Sequence, residues 1–228
     1  MHKSMFSKRV TVLVGAYGSG KTEIAINAVQ HLEPHYEQIA IADLDIVKPY
    51  FRTREFHLRL VQQNIRVIMP AGVMAQADLP ALPPEVYAVL QNEAIKLIID
   101  VGGDDAGATA LAQYHHYFAA EGYEMLMVIN TCRPFARNPA EIAELKGRIE
   151  LRSRLKVTAL VSNTNLGAET TAEVILRGHD IVRQVAEISG LPVAFTAVDQ
   201  RLLAELQGKI EGEMFAITRQ VLPPWERT

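Results

Sequence analysis

An eight-residue stretch, Gly15-Ala16-Tyr17-Gly18-Ser19-Gly20-Lys21-Thr22, narrows most what this chain can fold into. It fits the pattern G-x-x-x-x-G-K-[ST]. It lies between a β-branched run, Val10–Val14, and a helix-periodic segment from Glu23 to Leu32 that places Ile24, Ala25, Ala28, Val29 and Leu32 on one face. Each residue type has a physical reason. Glycines let the backbone wrap closely around a phosphate and aim several N–H groups inward. The helix that follows adds the positive end of its dipole. Lys21 brings a point charge to a β- or γ-phosphate, and the Thr22 hydroxyl has the right length for Mg²⁺. Gly15, Gly18, Ser19, Gly20, Lys21 and Thr22 are therefore the expected phosphate cradle, with Thr22 also a metal ligand.

The same alternation continues along the chain. Further apolar runs at Ile39–Ala42, Ile65–Ile68, Leu97–Val101, Met125–Ile129, Val157–Val161 and Pro192–Thr196 are apolar on both faces, as parallel strands covered by helices are. A helix opens at Asn138-Pro139 with Glu141 at its third position. Another opens at Thr170 and stops at Gly190. The expected fold is α/β: a three-layer sandwich around a mostly parallel, roughly seven-stranded sheet, in one domain spanning residues 1–228. Pro70–Pro84, which holds four prolines, reads as a long loop.

Composition removes other classes. With 49% hydrophobic and 21% charged residues the chain is neither disordered nor collagen-like. One cysteine, Cys132, excludes an internal disulfide and a cysteine-built zinc site. A net charge of −3 leaves no global footprint for nucleic acid or an anionic membrane. Met1–Arg9 has no apolar core of a secretory signal, and no stretch approaches the ~18 apolar residues of a membrane span, so a cytoplasmic location is expected.

A phosphate loop needs carboxylates for Mg²⁺ and for the attacking group. Two strand ends offer them: Asp43-Leu44-Asp45 after Ile39–Ala42, and Asp100-Val101-Gly102-Gly103 after Leu97–Ile99. The second also satisfies D-x-x-G, whose glycine N–H can reach a γ-phosphate. Ligands in open α/β sheets bind outside the carboxyl ends of the strands, where these groups should converge with Gly15.

The three motifs, in this order and over roughly Arg9–Arg201, resemble the MinD/ParA and CobQ/CobB class of P-loop ATPases. The resemblance implies ATP and Mg²⁺ as ligands and assigns roles. Lys21 and Thr22 match the P-loop lysine and metal ligand. Asp43 and Asp45 match the switch I aspartates, with Asp45 orienting the attacking water. Asp100 matches the switch II aspartate that holds Mg²⁺ through water, Gly103 the γ-phosphate-sensing glycine, and Asn163 an asparagine beside the base. It also implies a homodimer, but Ala16 stands where those relatives carry the lysine that crosses the dimer interface.

Guanine-specific loops read N-K-x-D, whereas this chain reads Asn163-Thr164-Asn165-Leu166. Leucine cannot accept from guanine, which favours ATP. The expected function is Mg²⁺-dependent, slow ATP hydrolysis as a conformational switch for a protein partner. A small-molecule kinase or ligase resembling dethiobiotin synthetase, and a nucleotide sensor without turnover, are the alternatives. Arg52, Arg54, Arg133 and Arg137 are candidates to reach a phosphate. Lys146, Arg148, Arg152, Arg154 and Lys156 read as a solvated helix face.

Overall fold

The computed structural model describes residues 5–44, 54–69, 84–103 and 105–220. Asp45, the Lys48–Thr53 stretch and Pro70–Pro83 lie outside the described residues. In chain order the elements are β1 Val10–Val14, α1 Lys21–Leu32, β2 Ile39–Leu44, α2 Arg54–Gln62, β3 Ile65–Ile68, α3 Pro84–Leu90, β4 Lys96–Val101, α4 Asp105–Ala112, α5 His115–Glu121, β5 Glu124–Ile129, α6 Pro139–Ser153, β6 Ala159–Ser162, α7 Ala172–Ser189, β7 Val193–Asp199, α8 Leu203–Leu206 and β8 Met214–Ile217.

The strands form an eight-stranded sheet in the order β3-β2-β4-β1-β5-β6-β7-β8, and every pairing among the described residues is parallel. β1, β2, β4 and β5 are buried along their whole length, as their two-faced apolar runs require. Strand order reverses at β1, which pairs with β4 on one side and β5 on the other. The crevice at such a switch point is the usual ligand position, and the glycine-rich loop leaves β1 directly into it.

One face of the sheet, with Val12, Ile99 and Met127, packs against Val89 of α3, Leu111 of α4, Ile142 of α6 and Val182 of α7. The other, with Leu13, Ile98 and Val128, packs against Ile24 and Val29 of α1 and Leu60 of α2. Phe6, Phe195 and Phe215 close that second layer, with ring centroids 5.3–5.5 Å apart. The expected three-layer α/β architecture is what the chain adopts.

Three expectations need correction. The sheet has an eighth strand, β8, whose four residues bury only Phe215 and Ile217. An edge strand that short gives too little alternation to stand out in a sequence. The N-cap of α7 is Thr171, whose hydroxyl accepts from the Val174 N–H; Thr170 instead donates to the Gly167 carbonyl and accepts from the Leu166 N–H. The strand expected at Pro192–Thr196 begins at Val193 and continues to Asp199. At α6 the expectation matches: Asn138 accepts from the Glu141 N–H at 3.0 Å, and Arg154 ends the helix in the left-handed region.

At the amino ends of the strands lies a polar cluster with no counterpart in the motif reading. The Lys96 ammonium, fully buried, donates to the carbonyls of Phe6 and Lys8 and to the Thr11 hydroxyl, 3.9 Å from the Glu124 carboxylate. Glu124 in turn accepts from the Thr11 hydroxyl at 2.7 Å and from the N–H groups of Ser7 and Lys8. This ties the segment before β1 across the bottom of the sheet.

Candidate functional site

The loop Gly15–Gly20 is shaped by backbone geometry that only glycine tolerates. Gly15 has φ +143°, and a Cβ there would lie 2.3 Å from the Val128 carbonyl oxygen of β5. Gly20, the N-cap of α1, has φ +90°, and a Cβ there would lie 2.2 Å from Nδ2 of Asn163. The loop is thus pressed against β5 on one side and the end of β6 on the other. Lys21 arches back over it, and its ammonium donates to the carbonyls of Gly15 at 3.1 Å and Ala16 at 3.0 Å.

Thr22 and Asp100 meet at the mouth of this loop. The Thr22 hydroxyl donates to Oδ2 of Asp100 at 2.6 Å. Asp100 occupies β4 directly opposite Asp43 of β2, and each is 1% exposed. Two carboxylates and a hydroxyl at neighbouring strand and helix ends form a set of hard oxygen donors, the kind Mg²⁺ takes. Gly103 sits against the loop, and a Cβ on it would fall 2.6 Å from the backbone nitrogen and Cα of Tyr17. Gly15, Gly20, Lys21, Thr22, Asp43, Asp100 and Gly103 therefore converge at one end of β1, β2 and β4. Asp45 lies outside the described residues.

Asn163, expected beside a base, packs against the phosphate loop. It is buried, and its Nδ2 donates to the Ser19 carbonyl at 2.7 Å. A trans peptide points its C=O and the next N–H in opposite directions, so holding the Ser19 carbonyl toward Asn163 turns the Gly20 N–H the other way. Arg133, a candidate phosphate contact in the sequence, acts on the preceding peptide: its Nε donates to the Gly18 carbonyl at 3.1 Å. Two successive carbonyls of the cradle are pinned from outside by side chains of the β5 and β6 ends.

Those ends are held by a network the sequence analysis missed. Asn130 accepts from the N–H groups of Cys132 and Asn165 and donates to the Asn165 carbonyl. Thr164 accepts from the Thr131 N–H, and the two threonine hydroxyls are 3.1 Å apart. Thr164 reaches this position because Gly178 of α7 faces it; a Cβ at 178 would lie 2.0 Å from the Thr164 hydroxyl oxygen. Polar residues after an apolar strand read as ordinary turn formers, so the pattern carries no local signal.

Beside the loop, between the Gly102–Gly103 segment and α6, the surface opens into a cleft of about 400 Å³. Arg148, expected on a solvated face, lines it, while Lys146 and Lys156 of the same basic run pair with Glu150 at 3.0 and 3.1 Å. Burial alone would raise the Glu150 carboxyl, but hydrogen bonds from those two lysines outweigh it and hold the group below its ordinary value. No cluster of metal-ligating side chains with His, Cys, Asp and Glu in threes occurs among the described residues, and no described helix is long and apolar enough to cross a membrane.

No protein-family model matches this chain, and no curated protein matches it. Solved structures do. Cell division protein FtsY from Thermotoga maritima superposes with a TM-score of 0.57 at 19% identity, over 83% of this chain and 61% of that one. Chloroplast FtsY from Physcomitrella patens gives 0.54 at 12% identity, over 83% and 58%. The 54 kDa signal recognition particle protein from Aeropyrum pernix, solved in complex with GDP, gives 0.52 at 15% identity, over 82% and 40%. The chain spans 40–61% of the length of these three proteins. The likeness establishes the fold: a parallel eight-stranded sheet with flanking helices, of the P-loop nucleotide-binding kind.

Proposed function

We propose that this chain binds a nucleoside triphosphate with Mg²⁺ on the Gly15–Thr22 loop and hydrolyses it slowly, as a conformational switch read by a protein partner. The observation that carries this reading is the 2.6 Å contact between Thr22 and Asp100 at the mouth of a three-glycine cradle. It brings a hydroxyl from the start of α1 and a carboxylate from β4 to one point, where hard oxygen donors suit Mg²⁺. Bound there, the ion would supply positive charge to the phosphate oxygens.

The chain's own groups take the remaining roles. Lys21 would exchange its contacts with the Gly15 and Ala16 carbonyls for phosphate oxygens. The Gly20 N–H and those of the first turn of α1 would donate to the same phosphates. Asp43 and Asp100 would hold the metal side of the site. Asp45 would accept a hydrogen bond from the attacking water and orient it in line with the γ-phosphate, and Gly103 would report that phosphate to the segment leading into α4.

The base is proposed to be adenine, because Leu166 stands where a guanine-accepting carboxylate would be needed. The neighbour solved with GDP points to the other purine, so the base has to be tested directly. Ala16 leaves the loop without a lysine to reach across a dimer interface, which argues against a nucleotide-sandwich dimer.

The test is a titration of ATP and GTP by calorimetry with and without Mg²⁺, followed by phosphate release. ATP should bind more tightly than GTP, and Lys21→Ala should weaken binding at least tenfold. Asp45→Asn should bind ATP normally and release no phosphate. Unchanged affinity in Lys21→Ala overturns the phosphate-cradle reading; undiminished phosphate release in Asp45→Asn overturns the role of Asp45.

A further inference from the structure

The cleft between Gly102–Gly103 and α6 is not accounted for by the nucleotide reading. Its volume, about 400 Å³, corresponds to roughly a dozen water molecules and falls in the range of small-molecule pockets. Apolar side chains form part of its wall, Val14 and Val101 from the ends of β1 and β4, Ala108 from α4, and Leu145 and Ile149 from α6, and the backbone of Gly15, Gly102 and Gly103 lines the rest. Among the described residues, Arg148 is the one charged side chain that lines it.

Arg148 differs from its basic neighbours. Lys146 and Lys156 both pair with Glu150, whereas Arg148 has no ion-pair or hydrogen-bond partner among the described residues. It lies three residues after Leu145 and next to Ile149, at the border of the helix stripe that forms one wall. An exposed guanidinium at the rim of the cleft offers a planar fork to a carboxylate, while the apolar side chains on the α6 side offer burial to a hydrocarbon body. A cation as occupant would meet Arg148, and a fully polar anion would waste those apolar side chains.

We infer that this cleft is a binding site for a small organic anion with an apolar body, its carboxylate on Arg148 and its hydrocarbon part among Val14, Val101, Ala108, Leu145 and Ile149. The site adjoins the phosphate cradle and shares Gly15 and Gly103 with it, while Arg148, Leu145 and Ile149 of α6 belong to the cleft alone. Its occupation needs no nucleotide, so its failure and the failure of the nucleotide reading are distinguishable.

The experiment uses the full chain without nucleotide. Sodium octanoate, octanol and octylammonium are titrated by NMR, following the methyl signals of Ala108, Leu145 and Ile149. Octanoate should shift these signals saturably and bind at least fivefold more tightly than octanol, with octylammonium weakest. Arg148→Ala, at an exposed helix position that alanine suits, should lose that preference for octanoate over octanol, and Arg148→Lys should keep part of it. Arg148→Glu should reverse the order and favour octylammonium. Absence of saturable shifts at the methyls of these three residues overturns the site. Equal binding of octanoate and octanol to the wild-type chain, or a preference that survives Arg148→Ala, overturns the assignment to an anion.

Discussion

The side-chain amide of Asn163 donates to the main-chain carbonyl of Ser19 at 2.7 Å, joining residues 144 positions apart. The contact is buried, and it fixes the orientation of the peptide that presents the Gly20 N–H. Asn163→Ala leaves the Ser19 carbonyl without its partner in a buried place. That should lower unfolding stability by about 1–3 kcal/mol in urea titration, and it should weaken nucleotide affinity while Lys21 and Thr22 are intact. Wild-type affinity in this variant would show that the loop holds its shape unaided.

Arg133 makes a similar contact from an exposed position, with its Nε on the Gly18 carbonyl. Exposure makes the bond cheap in stability terms. Arg133→Ala should cost less than about 1 kcal/mol of unfolding free energy yet reduce nucleotide affinity severalfold by calorimetry. An unfolding midpoint that drops as far as in Asn163→Ala would contradict this division of roles.

Gly178 sits inside α7, where replacement by alanine normally stabilises a helix by up to about 1 kcal/mol. Here the sign should reverse. A new Cβ would lie 2.0 Å from the Thr164 hydroxyl oxygen and 2.2 Å from its Cβ. Gly178→Ala should therefore destabilise by about 1–3 kcal/mol, the usual cost of overpacking, and thermal unfolding reads it. Trimming Thr164→Ala in the same chain should not restore stability, because the Thr164 Cβ is itself too close.

The Lys96 ammonium gives a pH signature. Burial lowers its pKa from 10.5 to about 8, and the nearby Glu124 charge opposes that only in part. Between those two values the unfolded chain keeps a proton that the folded chain has released, so the unfolding free energy should rise with pH across that window. Tyr114, whose hydroxyl burial pushes above its ordinary value of 10, opposes this only at higher pH. The urea midpoint should increase from pH 7.5 to 9.5 in the wild-type chain, and Lys96→Met should remove that increase. A flat wild-type profile would place the ammonium's pKa outside this range.

What the sequence determined alone is local. The glycines, Lys21 and Thr22 specify the turn between β1 and α1 within eight residues, because positive φ and close approach are demands on single residues. Two-faced apolar runs specify buried parallel strands, and Asn138 with Glu141 specifies the start of α6, because both signals lie within a few residues. The coming together of Thr22 and Asp100 also followed from topology, since parallel strands deliver their carboxyl ends to the same edge.

Tertiary structure decided the rest. That Asn163 and Arg133 hold the carbonyls of Ser19 and Gly18, that Gly178 makes room for Thr164, and that Arg148 borders a partly apolar cleft all depend on which strand lies beside which and how closely a helix approaches. No spacing encodes these relationships. A side chain chosen to meet a partner more than a hundred residues away looks, in its own neighbourhood, like any turn former or surface charge.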